Sequence, residues 1–139
     1  MGMYTEIYVS TDLKEGTPEP VIDVLRAICA KDPDSPALAE HPDRWFMLFN
    51  SGSYYTPLTE VASLTYDDIG KHYSLIGKGD IKNYGYEIEK FFDWLKPWCD
   101  NEFIGYHRYE EAREPTLVYA NPYAEQPALD DHSSVVSFQ

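Results

Sequence analysis

Four kinds of residue in this chain could carry chemistry, and their spacing limits what each could do. The histidines (His41, His72, His107 and His132) stand far apart, with no i, i+4 pair and no Cys/His cluster. Zinc needs three or four converging ligands. A site could assemble in space from His72, His107 and Asp67, but surface or hydrogen-bonded imidazoles explain the same residues. Gly77-Lys78-Gly79-Asp80 has the glycines of a phosphate-cradling loop. A dinucleotide fingerprint needs a third glycine, and a P-loop needs Gly-Lys followed by Ser or Thr. The string therefore reads as a turn between a strand and a helix. Asp67-Asp68 and Glu110-Glu111 are adjacent carboxylates. Neighbours on a strand point oppositely and cannot flank one bond, so both pairs read as solvated turn residues. Cys29 and Cys99 each follow an apolar stretch and read as buried free thiols. No catalytic residue, metal ligand or cofactor is assigned on this basis.

The tyrosines are the strongest compositional signal. There are 12, and aromatic residues make up 15% of the chain. Tyr4, Tyr8, Tyr54, Tyr55, Tyr66, Tyr73, Tyr106, Tyr109 and Tyr119 fall on expected strands or beside turns. A tyrosine joins a large apolar body to a polar tip, which suits a surface that meets a partner. Tyrosine also favours strands for packing reasons alone.

The elements that would position these side chains follow from periodicity. Residues 4–10 alternate, with Thr5, Ile7 and Val9 on one face and Tyr4, Glu6, Tyr8 and Ser10 on the other, as in a half-buried strand. Thr17 is placed to cap a helix and Pro18 to begin it. Val21, Val24, Leu25 and Ile28 then form one apolar stripe, ending near Ala30. Prolines 33, 36 and 42 make 31–43 a loop. Residues 45–49, apolar on both parities, predict a strand covered on both faces. A turn at 50–53 would return the chain as a partner strand at 54–56. Two further strands are expected at 61–66 and 72–77. A second helix, capped by Asn83 or Asp80, buries Ile88, Phe91, Phe92 and Leu95, with Pro97 disturbing its last turn. Strands at 103–109 and 116–120 close the pattern.

The predicted architecture is α+β: a mostly antiparallel sheet with two helices on one face, a ferredoxin-like variant with extra hairpin strands. Residues 1–120 form the single domain, and 121–139 are expected to be a polar, flexible tail. A chain of 139 residues is long enough to bury its own core without metal or disulfides.

Charge excludes some functions. Twenty-four acidic residues against 11 Lys and Arg give a formal charge of −13. With no run of basic residues, direct nucleic-acid binding and attachment to an anionic membrane are both disfavoured. No apolar stretch is long enough to span a bilayer, and residues 1–6 lack the pattern of a signal peptide, so a cytoplasmic location is expected.

Three segments, Tyr4-Thr5-Glu6-Ile7-Tyr8-Val9, Phe49-Asn50-Ser51-Gly52-Ser53-Tyr54-Tyr55 and Gly77-Lys78-Gly79-Asp80-Ile81-Lys82-Asn83-Tyr84, resemble small acidic proteins of phage and prophage genomes that have no assigned function. The resemblance implies an accessory protein of a bacterial cytoplasm and supplies no site residues.

The sequence thus leads to a non-enzymatic acidic accessory protein that binds a host or phage macromolecule, with a protein the expected partner, and could inhibit it through a negative surface. Tyr4, Glu6, Tyr8, Tyr54, Tyr55, His107 and Tyr109 are the expected contact residues, and a homodimer is a possible arrangement. The alternative is a small-molecule site or weak enzyme with a cleft formed by Tyr54, Tyr55, His72 and His107.

Overall fold

A computed structural model describes residues 4–50 and 61–127. The first strand, β1 (Thr5–Asp12), alternates buried and half-buried residues along its whole length. Helix α1 (Glu19–Ala30) follows, with Pro18 at its N-cap and Lys31 closing it in the left-handed conformation. Thr17 does not cap it; its hydroxyl donates instead to the Lys14 carbonyl at 2.6 Å. Strands β2 (Val61–Asp67) and β3 (His72–Ile81) form a hairpin. Helix α2 (Glu87–Leu95) runs into a turn of 3-10 helix at Lys96–Trp98, where Pro97 ends the α-helical bonding. Asn83 supplies the cap-like contact at its start, accepting from the Ile88 N–H at 3.0 Å. Asp80 lies within β3 instead. Strands β4 (Phe103–Tyr109) and β5 (Thr116–Tyr119) complete the sheet.

The strand order is β2-β3-β1-β4-β5, with every neighbouring pair antiparallel. The first four strands in chain order, with their two helices, have the ferredoxin-like connectivity, and β5 adds a hairpin at one edge. Both helices bury their stripes against the same side of the sheet. Ile22, Leu25 and Ile28 of α1 and Ile88, Phe91 and Leu95 of α2 share one cluster with Ile7, Val9, Leu75 and Ile104 of the strands. Among the described residues, no helix is long and apolar enough to cross a membrane.

Two expectations are corrected by a single packing event. Residues 45–49 are not a strand: Trp45–Met47 forms one turn of 3-10 helix, and Phe49 is fully buried. Gly77 and Gly79 lie inside β3, not in a turn before a helix. A Cβ on Gly77 would stand 2.3 Å from the Phe49 ring, and one on Gly79 would stand 2.6 Å from the Asn50 carbonyl oxygen. The glycines leave room for the aromatic segment to lie directly on the sheet. The Asp80 N–H donates to that same carbonyl at 2.8 Å. The partner strand expected at 54–56 lies outside the described residues.

The chain after β5 is held at its beginning. The Lys14 ammonium donates to the Ala124 carbonyl at 2.6 Å, and the Gln126 amide donates to the Glu15 carbonyl at 3.1 Å. Residues 121–127 are thus tied at two points to the segment before α1, while most of them remain exposed.

Both cysteines are free thiols, and burial pushes the pKa of each up to about 11. Burial disfavours the thiolate, which is the reactive form. At pH 8 iodoacetamide should label the folded chain roughly a hundredfold more slowly than it labels the urea-unfolded chain. Mass spectrometry over time checks this, and equal labelling rates would show that the thiols are accessible.

Candidate functional site

Strand pairing decides what the uncovered side of the sheet presents, because residues directly opposite one another share a face. Tyr8 is paired with Lys78 on one side and Tyr106 on the other; Lys78 faces Val61, and Tyr106 faces Leu117. Leu117, Tyr106, Tyr8, Lys78 and Val61 thus form one row across all five strands. A second row holds Ser10, Ile76 and Ser63, and a third holds Arg108, Glu6 and Asp80. All lie opposite the helices. Leu117 is 48% exposed, Ile76 44% and Val61 38%. Phe103 and Tyr119, paired at the β4–β5 corner with ring centroids 5.7 Å apart, are exposed as well.

The middle of this face is ordered by its own contacts. The Tyr8 and Tyr106 rings stack at 5.4 Å. The Tyr106 hydroxyl donates to Glu6 at 2.8 Å, while the Arg108 guanidinium lies 3.7 Å from the other oxygen of Glu6. Burial, followed by this carboxylate, raises the Tyr106 pKa to about 12, so the phenol stays protonated and donating at neutral pH. Tyr4 stands at one end with the Lys82 ammonium 5.6 Å from its ring centroid.

Acidic residues stand at both ends of the sheet. The β4–β5 turn carries Glu110, Glu111 and Glu114 against Arg113, and the β2–β3 turn at the opposite end carries Asp67 and Asp68 against Lys71. Asp12 adds to the second end, accepting from Ser74 at 2.6 Å with His72 at 3.6 Å. Between the ends, Glu6 and Asp80 are offset by Lys78 and Arg108.

The expected contact residues divide accordingly. Tyr4, Glu6 and Tyr8 lie on the open face. Tyr54 and Tyr55 are outside the described residues. His107 pairs with Ile7 and Tyr109 with Thr5, which places both on the helix side. The cause is a bulge between Phe103 and Gly105, where Ile104 and Gly105 are both buried and the alternation shifts by one. Gly105 is required there, since a Cβ would stand 2.0 Å from the Tyr8 carbonyl oxygen. Tyr106 and Arg108 consequently take the outward positions. A glycine in the middle of a strand was the sequence signal for that shift. Tyr66 and Tyr73 also fall on the helix side, with ring centroids 4.9 Å apart.

His72 and His107 lie on opposite faces, so the cleft expected from them does not form. Among the described residues, no group of three His, Cys, Asp or Glu side chains could hold a metal ion. On the helix side, His107 and Tyr109 instead meet Tyr84, Tyr86, Glu89 and Glu114 around a cleft of about 530 Å³. No protein-family model, curated protein or solved structure matches the chain.

Proposed function

We propose that this chain is a binding protein that docks, through the open face of its sheet, a protein presenting an apolar patch rimmed by lysine and arginine. The row Leu117–Tyr106–Tyr8–Lys78–Val61 carries this reading. Aliphatic and phenolic groups aligned across five strands, with no described element over them, are what a docking surface presents. The carboxylates at both ends supply the charge complement, steering a basic rim onto an apolar centre. The net charge of −13 opposes face-to-face pairing of two copies and favours a partner of opposite sign. The phage-type resemblance makes that partner a host or phage protein in a bacterial cytoplasm, which the chain would occupy and block.

Leu117→Glu and Ile76→Glu test the reading, because both side chains are already half in water and their replacement should leave the fold intact. The wild-type chain and the double variant are compared as bait in bacterial lysate, and the affinity of any captured protein is then measured. A basic protein held by the wild type and weakened at least about tenfold by the double variant supports the proposal. Its association rate should fall steeply with salt, since screening shortens to about 8 Å at physiological ionic strength. Capture that survives the double variant, or no capture, rejects it. Light scattering that shows a dimer abolished by the same substitutions would replace the foreign partner with a second copy.

A further inference from the structure

We infer that the cleft between the start of α2 and the β4–β5 hairpin binds a small organic cation of the alkylammonium class. Its volume of about 530 Å³ lies within the range of small-molecule sites, about 300–1,000 Å³. Three phenol rings (Tyr84, Tyr86 and Tyr109) and two carboxylates (Glu89 and Glu114) converge on it, and no lysine or arginine among the described residues lines it. Aromatic faces attract an alkylammonium group through their quadrupoles, and carboxylates add a net charge. Neutral sugars also stack on tyrosine and can donate hydroxyls to a carboxylate, but only a cation gains the net Coulombic attraction of the two carboxylates.

The site is partly built in advance. Glu89 is held by the Asn83 side-chain amide, which donates to it at 2.7 Å, and Asn83 is itself fixed by accepting from the Ile88 N–H. Arg44, 5.3 Å from the Tyr84 ring centroid, is matched by Glu87 at 3.1 Å and so leaves the cleft's charge uncancelled.

Tyr86 adds an observation that packing does not account for. It stands immediately before α2 in the left-handed conformation, φ 58 and ψ 36, and its side chain makes no capping bond. The residue is 66% exposed. That backbone is costly for a bulky residue, and glycine would occupy it freely. A ring kept there, facing water on the rim of a tyrosine-rich cleft, is explained by a ligand that uses it.

The test titrates the full chain with choline and with its neutral isostere 3,3-dimethylbutan-1-ol at constant ionic strength, read by calorimetry and by the His107 and Tyr109 NMR signals. Choline should bind with a Kd at or below about 1 mM, and the isostere at least about tenfold more weakly. Tyr86→Gly should weaken choline about three- to thirtyfold while leaving Tm unchanged or higher, because it removes the ring together with the unfavourable backbone. Glu114→Gln should weaken it as well, whereas Leu117→Glu on the other face should not. Equal binding of the isostere, no saturable signal below about 10 mM, or full affinity in Tyr86→Gly would each overturn the inference.

Discussion

Phe49→Ala should lower the unfolding free energy by about 3–5 kcal/mol, the range for truncating a buried aromatic ring. Phe49 is fully buried, and its ring meets Phe91 edge to face at 6.0 Å. Beneath it lies bare backbone, since Gly77 has no side chain to fill that space. Gly77→Ala should cost about 1–3 kcal/mol by itself, because the new methyl must push the ring aside. The two substitutions compete for one volume. The double variant Phe49→Ala/Gly77→Ala should therefore lose less than the two single losses added together, by at least about 0.5 kcal/mol. Urea unfolding of the four proteins, followed by fluorescence and circular dichroism together, measures this coupling. Strictly additive losses would show that ring and glycine do not share the space.

The same contact shows where local reading of the sequence stops. An apolar run on both parities, as at 45–49, states only that the segment is covered all round. A central strand satisfies that condition, and so does a plug lying on the sheet. What selects the plug is the space above Gly77 and Gly79, about thirty residues further along the chain. By contrast, β1 and α1 were readable because each carries its own period, two for a strand and 3.6 for a helix, whereas β3 was begun correctly but ended at Gly77 although it runs to Ile81. Strand β4 was located correctly but turned over, because one bulge at Gly105 reverses which side chains face out. The open face was therefore half legible: Tyr4, Glu6 and Tyr8 follow from simple alternation, whereas Tyr106 and Arg108 depend on the bulge. The helix-side cleft was illegible for another reason. Tyr84 and Tyr86 belong to an aperiodic connection, and only strand register brings His107 and Tyr109 to meet them.

Arg44→Met should cost about 3–5 kcal/mol, as much as losing a core ring, although Arg44 is only half-buried. Its Nη1 donates to the Lys82 carbonyl at 2.7 Å and to Glu87 at 3.1 Å. Glu87 is 6% exposed, so removing the guanidinium strands a carboxylate away from water. The loss belongs mainly to that stranded charge, not to the value of the pair. Arg44→Met/Glu87→Leu should accordingly regain most of it. A remainder of about 1 kcal/mol is expected, because the other oxygen of Glu87 accepts from the Gly85 N–H at 3.1 Å. Arg44→Lys should fall between, since an ammonium keeps the charge but loses the planar fork. Chemical denaturation of the three variants separates these cases, and a loss below about 1 kcal/mol for Arg44→Met would mean that water already screens the pair. One guanidinium here joins the 3-10 turn at Trp45–Met47, the end of β3 and the first turn of α2. Those are the segments no periodicity could have linked, and the connection that carries Tyr84 and Tyr86 takes its position from that clamp.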